Sequence, residues 1–431
     1  IDNLNKKILK IYKEDGNFVK AEEEVFSKNI EPNIKEDIIN KIYKNSFKTS
    51  ISRLESYSKC PFAYHLKYII KAKEREEYKL QALDTGRFIH KVLEIYIDNI
   101  EKELEHFKNT LPNSPFYEIE LLNDNKLDYE SGDLRDYLNF IKTNLNKSID
   151  EAFNTKEYEI FKDKKKYLML SNKLMKLLEK VTLVVTEDLR LSNFKVYKTE
   201  YIIEDKMFNS NIRTKNKDVY LKGIIDRIDV LKYGDKEYFR IIDYKSSKKQ
   251  IKPEEIYSGI NFQMPIYANI IEKKEKLNNA GMLYFTADIK PLKEKELDQN
   301  EIMKKTILEY KMDGLLLDDK DILKQMDKTL EDETKKNSFL LPLERKKDGD
   351  FSARSKAVEK EILNNLKEDT EDIILNIIEK TLDGNVEIYP LDDVCKYCEY
   401  ENICMIDKNK NNIRKYSKIR KWKIKGRDND K

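Results

Sequence analysis

A predicted β-hairpin constrains this sequence more than any other feature. Two apolar runs, residues 219–232 and 237–245, stand on either side of Gly234-Asp235. A Gly-Asp pair between such runs is typical of a two-residue turn that joins antiparallel strands. The turn fixes the strand register, so residues equally distant from it must lie opposite one another.

That register places two acidic side chains together. Asp226 comes directly opposite Asp243, with Cβ atoms about 5 Å apart, and strand alternation puts Lys245 on the same face as Asp243. Opposed like charges are destabilising, and burial among the neighbouring isoleucines raises the cost. Mg²⁺ or Mn²⁺, which prefer oxygen ligands, would relieve the repulsion with help from a main-chain carbonyl and waters.

These residues predict metal-assisted hydrolysis. The metal would lower the pKa of a bound water and hold a phosphate, while Lys245 orients the water or stabilises the developing oxyanion. The alternative is an ion-paired patch on a solvated sheet face. A register slip of one residue would also separate Asp226 from Asp243.

Composition limits the class of protein. The 431 residues suggest two to four units, or one domain with large insertions. A hydrophobic fraction of 39% excludes wholesale disorder. No apolar run approaches the ~18 residues of a membrane helix, so no membrane partner is expected. The net charge of +3 does not by itself indicate nucleic acid. Because Ile1 is not a methionine, we expect a piece of a longer protein.

Scarce glycine and proline favour long helices. Residues 134–191 and 300–383 read as helical, whereas 196–203 and 280–286 are strand candidates. Ser52-Arg53-Leu54-Glu55 matches a capping box and predicts the start of a short helix.

The four cysteines predict a metal site. Cys395, Cys398 and Cys404 lie within ten residues, and Cys60 is far upstream. In a reducing intracellular compartment, clustered thiols suggest zinc or a [4Fe–4S] cluster. The spacing does not separate these two, and unligated buried cysteines are the third possibility.

The end of the chain is basic. Residues 408–427 hold ten Lys/Arg and no Asp/Glu, with Tyr416 and Trp422 between them. This tail could contact phosphates and stack on a base. We favour a solvated helical tail or a surface that packs on a partner.

Four motifs together resemble the RecB-type branch of the PD-(D/E)XK nuclease superfamily. They are Gly86-x-x-x-His90-x-x-Leu93-Glu94, Gly223-Ile224-Ile225-Asp226-Arg227-Ile228-Asp229, Ile242-Asp243-Tyr244-Lys245-Ser246-Ser247 and Gln263-x-x-x-Tyr267. The resemblance spans roughly residues 50–405. It implies an α/β core, with a central mixed sheet flanked by helices and large helical insertions at about 98–190 and 300–383.

The resemblance also assigns roles to individual residues. The implied metal ligands are His90, Asp226, Asp243 and the main-chain carbonyl of Tyr244. Lys245 would be the catalytic lysine, and Gln263 and Tyr267, one helical turn apart, would position it or the DNA. Glu94, one turn after His90, and Glu200, on the strand before the hairpin, are further acidic candidates.

The cysteine segments resemble the iron–sulfur nuclease domains of AddB-type subunits. The matching stretches are Ser52-Arg53-Leu54-Glu55-x-Tyr57-x-x-Cys60-Pro61-Phe62-x-Tyr64 and Cys395-x-x-Cys398-x-Tyr400-x-x-x-Cys404. The resemblance implies a structural [4Fe–4S] cluster on all four cysteines. It also implies a heterodimer with an AddA-type helicase–nuclease subunit, and cleavage of single-stranded DNA ends, on the 5′-terminated strand, as the motor delivers them.

We therefore expect a helical lead-in at 1–48, a nuclease domain at 49–405 and a basic tail at 406–431. The protein would be cytoplasmic and associated with the nucleoid. No ATP site is visible. Two rivals remain: a free-standing RecB-like or CRISPR-associated nuclease, and a DNA-binding or scaffold domain whose nuclease site has decayed.

Overall fold

The structure, a computed structural model, describes residues 33–72, 82–110, 132–155, 158, 164–288, 306–332, 337–346, 350–352, 354–404, 406, 413–419 and 421–422. These residues belong to two compact units. The terminal unit takes those within Ile1–Glu74, Lys206–Tyr220 and Ile374–Tyr416, and the sheet unit takes those within Arg75–Asp205, Leu221–Ile373 and Ser417–Lys431. Among the described residues, no helix is both long enough and apolar enough to cross a membrane.

The described part of the chain contains one mixed sheet of seven strands. They are β1 (Ser46–Ser50), β2 (Lys195–Phe208), β3 (Asp218–Tyr233), β4 (Lys236–Lys245), β5 (Asn278–Thr286), β6 (Asp313–Leu317) and β7 (Ala357–Val358). The order is β1-β3-β4-β5-β6-β7, and β2 also pairs with β3. The β3–β4 and β5–β6 pairs are antiparallel, whereas β4–β5 and β6–β7 are parallel. This mixed sheet with its flanking helices confirms the α/β class.

The described helices are α1 (Glu36–Tyr43), α2 (Ile51–Lys59), α3 (Pro61–Tyr64), α4 (Ala82–Thr110), α5 (Gly132–Phe153), α6 (Lys164–Leu191), α7 (Pro253–Ile256), α8 (Gln263–Glu275), α9 (Lys320–Met326), α10 (Lys360–Leu382) and α11 (Glu401–Cys404). Helices α4, α5 and α6 hold most of the described residues in 98–190. Along α4, helical spacing buries Phe88, Val92 and Tyr96 completely. The Tyr96 hydroxyl lies 2.7 Å from the Thr186 hydroxyl of α6, which fixes the helix that carries His90.

The hairpin has the register that its turn predicts. Gly234 has φ +60°, the left-handed conformation that a two-residue turn requires. The pairs run from Tyr233 opposite Lys236 to Arg227 opposite Ile242. The functional side chains discussed below depend on this register.

The expectation that residues 300–383 are helical throughout is wrong at two places. Residues of β6 and β7 in this range extend the central sheet. The Asp313–Leu317 segment is a short apolar run, and periodicity cannot distinguish a buried strand from a helix over such a length. Pairing with β5, which is distant in sequence, decides the conformation.

The predicted cap of the first short helix is displaced by two residues. Helix α2 begins at Ile51, and the hydroxyl of the extended residue Ser50 accepts a hydrogen bond from the Arg53 amide at 3.4 Å. Ser52 therefore lies inside the helix. Both serines fit the capping chemistry, and the path of β1 into the helix selects Ser50.

Both termini depart from the helical expectation where they are described. The lead-in contains α1, but β1 begins at Ser46, and residues 1–32 lie outside the described ranges. In the tail, residues 413–419 are not helical. Arg414 forms a parallel bridge with Leu391, and its guanidinium donates to the carbonyl of Ser58. This segment therefore packs onto the terminal unit instead of forming a solvated helix.

Candidate active site

The hairpin brings Asp226 to the end of β4. The ladder of main-chain pairs stops at Arg227 opposite Ile242, so Asp226 and Asp243 occupy the next positions outward. Both side chains are buried, at 8% and 2% exposure. One carboxylate oxygen of Asp226 accepts a hydrogen bond from the main-chain amide of Tyr244 at 2.6 Å. A side chain thus continues the contact between the strands where main-chain pairing ends.

The electrostatics of the pair favour an added positive charge. Burial raises the pKa of Asp243 to about 6, and the charge of Asp226 adds to the rise, whereas Lys245 opposes it. A raised carboxyl pKa means that the ionised form is short of compensation. A divalent cation between these groups would supply the missing charge.

Lys245 and Gln263 complete a compact polar cluster around Asp243. The Lys245 ammonium lies 2.5 Å from one carboxylate oxygen of Asp243. Gln263, the first residue of α8, donates from its amide nitrogen to the other oxygen at 3.0 Å. Its amide oxygen accepts from the Lys245 ammonium at 3.3 Å. One glutamine therefore holds both the carboxylate and the lysine in place.

Tyr267 follows one turn later on α8 and packs against β3 at Gly223. A Cβ added at Gly223 would meet the Tyr267 hydroxyl at 2.6 Å, so any side chain there would displace the ring. Burial raises the pKa of Tyr267 to about 12. The sequence analysis gave Gly223 no role, although a glycine inside an apolar strand often marks such a close approach.

His90 and Glu200 join Asp226 in a second cluster. One ligand atom from each of these three residues lies within 4.8 Å of the other two, a group that could hold a metal ion. His90 Nδ1 lies 3.3 Å from an oxygen of Asp226. Burial and then the charge of Asp226 raise the pKa of Glu200 to about 7. Glu200 also has φ +46°, a strained conformation for this residue.

The structure groups the expected metal ligands differently from the sequence. Asp243 makes its contacts with Lys245 and Gln263 and is outside the three-residue group, whereas Glu200 is inside it. Glu94 forms an ion pair with Lys91 at 2.8 Å and does not join the group.

The donor atoms fit a hard divalent cation. Carboxylate oxygens from both strands of the hairpin and from β2 converge with one imidazole nitrogen. Oxygen-rich sets of this kind suit Mg²⁺ or Mn²⁺.

A buried charge network lies behind the hairpin, and sequence reasoning missed it. Its members, each at most 2% exposed, are Asp188 of α6, Arg227 and Asp229 of β3, and Arg240 of β4. Arg227 and Arg240 donate to both aspartates over distances of 2.6–2.9 Å. Charges in an apolar strand are normally buried only when paired, which is the signal that could have revealed the network.

The four cysteines line a single cavity of the terminal unit. Cys60, Cys395, Cys398 and Cys404 share it with apolar side chains such as Phe62. All four are free thiols. Burial raises the pKa of Cys60. The tight single-ion grouping found at His90 is absent here: all four cysteines lie in the described ranges, and no three of their sulfurs lie within 4.8 Å of one another.

The cavity nevertheless joins two distant parts of the sequence without any metal. The Leu391 amide donates to the Lys59 carbonyl at 2.8 Å. The Tyr400 hydroxyl donates to the Ala72 carbonyl at 2.8 Å. Four thiols around one apolar cavity suit a multi-iron cluster, which holds its ligands farther apart than a single ion does.

A mixed α/β sheet whose hairpin carries two buried aspartates and a lysine defines a class of carboxylate–lysine sites. The model of the PD-(D/E)XK nuclease superfamily matches residues 48–405. The chain belongs to this superfamily.

Curated relatives narrow the comparison. The chain is 31% identical over 384 residues to an ATP-dependent helicase/deoxyribonuclease subunit from Thermoanaerobacter sp. (strain X514), covering 86% of this chain and 31% of that protein. Proteins of the same name from Clostridium perfringens (strain SM101 / Type A) and Clostridium novyi (strain NT) are 31% and 30% identical, over 88% and 93% of this chain. The chain spans about a third of the length of these relatives, at 31–34%.

Proposed function

We propose that this chain is the metal-dependent DNA exonuclease domain of a helicase–nuclease that processes double-strand breaks for recombinational repair. The observation that carries the proposal is the contact of Lys245 with Asp243, at the hairpin position facing Asp226. The names of the relatives, which join helicase and deoxyribonuclease, support the biological setting.

In this proposal, His90, Asp226, Asp243 and the Tyr244 carbonyl hold Mg²⁺ or Mn²⁺, and Glu200 is a further ligand or base. The bound ion supplies an activated water and an anchor for the scissile phosphate. Lys245 orients that water and stabilises negative charge in the transition state. Gln263 and Tyr267 position the lysine, because Gln263 contacts its ammonium and Tyr267 anchors the same helix against β3.

The substrate and partner follow from the same relatives. We infer that the domain cleaves single-stranded DNA, on the 5′-terminated strand, as a motor delivers it. The partner would be an AddA-type helicase–nuclease subunit in a heterodimer, which places the protein in the cytoplasm with the nucleoid. A chain that matches only part of each relative argues against a free-standing nuclease.

The cysteine cavity is the proposed site of a [4Fe–4S] cluster bound by Cys60, Cys395, Cys398 and Cys404. All four thiols line it. Its role would be structural, because the same segments already meet through main-chain bonds.

An activity assay tests the proposal. Asp243→Ala should abolish Mg²⁺-dependent cleavage of single-stranded DNA, and Lys245→Ala should lower kcat by about 10²–10³-fold. The matched control is Asp235→Ala, which removes an exposed carboxylate from the turn of the same hairpin. Cleavage by Asp243→Ala at the wild-type rate would refute the site. A wild-type chain that binds DNA but never cuts it would indicate the decayed scaffold instead.

A further inference from the structure

A cationic cavity lies beyond the carboxyl ends of the central strands, and no role above uses it. Its volume is about 400 Å³. We call it the lysine cavity, after the basic side chains that line it: Lys248, Lys311, Arg354 and Lys356. Its wall also includes Thr286 at the end of β5.

The lysine cavity shares a sheet edge and face with the candidate active site. Lys245 pairs with Thr286 in the parallel β4–β5 ladder, so their side chains point to the same face. The Lys245 ammonium lies 5.9 Å from the centre of the Tyr284 ring, which agrees with that orientation. Tyr284 in turn faces Asp313 of β6, another residue of the cavity wall. Two strand spacings, about 10 Å in all, separate β4 from β6.

Two of the four cations are available to a ligand. Neither Lys248 nor Lys356 forms a side-chain hydrogen bond or ion pair with any other residue that the structure describes. Lys311, by contrast, donates to the Ser338 carbonyl at 2.8 Å, and burial lowers its pKa. Arg354 lies 3.9 Å from a carboxylate oxygen of Glu344.

The acidic residues of the wall are partly neutralised. Asp313 accepts a hydrogen bond from the Gln250 amide at 2.7 Å. Gln250 belongs to the loop that leaves β4 after Lys245, so this bond holds that loop against β6. The apolar side chain of Leu308 is 46% exposed beside these charges. Cations next to an apolar surface suit a nucleotide, whose phosphate and base have those two characters.

We propose that the lysine cavity binds one nucleotide of the single-stranded substrate, a few positions along the strand from the scissile phosphate. Lys248 and Lys356 contact its backbone phosphates, and Leu308 supports its base. This inference rests on the proposed function, because it assumes that Lys245 marks the point of cleavage. It adds a binding site that sets the path of the strand across the sheet edge.

The salt dependence of binding tests the lysine cavity directly. Anisotropy titrations of a fluorescent oligothymidine in a chelator measure affinity while no strand is cut. The double variant Lys248→Gln/Lys356→Gln should weaken binding about tenfold. It should also lower the slope of log Kd against log salt by about 1.4, since each phosphate contact on a single strand contributes about 0.7.

The matched control removes two lysines from the opposite end of the same hairpin. Lys232 and Lys236 are exposed at the turn, so Lys232→Gln/Lys236→Gln makes the same charge change away from the cavity. Both double variants should keep the wild-type unfolding temperature. Equal affinities and salt slopes for the two variants would overturn the proposal.

Turnover gives a second, independent measurement. With a long single strand, the cavity variant should raise KM with little change in kcat, because the lost contacts are the same in the ground and transition states. With the p-nitrophenyl ester of thymidine 5′-phosphate, which is too short to reach both sites, it should equal wild type. If wild type cuts neither substrate, the proposed nuclease function fails, and the salt slope alone still decides whether the cavity holds phosphates.

Discussion

Four buried charges show how single side chains fix this site. Asp188, Arg227, Asp229 and Arg240 form a closed set of ion pairs beneath the hairpin. Arg227 follows Asp226 directly in the chain, so the guanidinium that binds Asp229 also limits where Asp226 can move. Buried ion pairs add little net stability, but an unpaired member is very costly. The network is thus better understood as a constraint on geometry.

Asp229→Ala should lower the free energy of unfolding by about 3–5 kcal/mol, because two buried guanidinium groups lose a partner. Urea denaturation measures the loss. The control is Glu204→Ala, which breaks an exposed pair with Lys222 and should cost about 0–1 kcal/mol. A loss at Asp229 no greater than at Glu204 would contradict the role of the network.

The same variant predicts a dependence on pH. Burial alone would raise the pKa of Asp229, but the charges of Arg227 and Arg240 lower it below its ordinary value. The stabilisation by Asp229 is therefore complete above about pH 4, near the unfolded pKa, and is lost as the pH falls through the folded pKa. The stability difference between wild type and Asp229→Ala should be constant near neutral pH and shrink in acid.

At the scale of elements, the active site depends on how closely α8 approaches β3. Gln263 and Tyr267 occupy one face of α8, and the hydroxyl of Tyr267 sits where any Cβ on Gly223 would lie. Pro265, near the start of α8, leaves the helix intact because its first turn needs no amide donor there. Removing the contact at Gly223 would therefore move the helix that holds Lys245.

Gly223→Ala should cost about 1–3 kcal/mol by overpacking and should lower kcat more than it changes KM, because the displaced helix carries Gln263 away from Lys245. Steady-state kinetics and thermal unfolding check both effects. Gly86→Ala is the matched control, since its added Cβ meets nothing within 4 Å and α4 gains a better helix former. Unchanged kcat in Gly223→Ala would separate Tyr267 from the positioning of the lysine.

At the scale of the whole molecule, the terminal unit is assembled from distant parts of the chain. Cys60 lies near one end, and the other three cysteines lie near the other end. Main-chain and hydroxyl hydrogen bonds already join these segments. A cluster bound by all four thiols would add a covalent brace at the same place, and metal binding would then be coupled to folding.

Cys398→Ser should reduce the iron and acid-labile sulfide of anaerobically purified protein to near zero and lower its unfolding temperature. Wild type should contain about four of each per chain. The control is Tyr397→Ala, whose side chain is 92% exposed beside Cys398 and should leave the iron content unchanged. A colourless wild type that contains one zinc would overturn the iron assignment and leave the nuclease proposal standing.

The local features of this protein can be read from its amino-acid chain. The Gly234-Asp235 turn sets the register of β3 and β4, which places Asp226 and Asp243 at facing positions without help from any tertiary contact. Apolar spacing along α4 identifies its buried face correctly. Turn chemistry and periodicity depend on neighbouring residues only, so a single sequence is sufficient to read them.

Long-range packing, in contrast, selects which distant groups meet. It places Glu200 beside His90 and Asp226, brings Asp188 beneath the hairpin, and makes residues 313–317 a strand. It also opens the lysine cavity from side chains on separate segments of the chain. Such contacts join residues far apart in the chain, and their free energy comes from burial and pairing, which no local pattern of residues encodes.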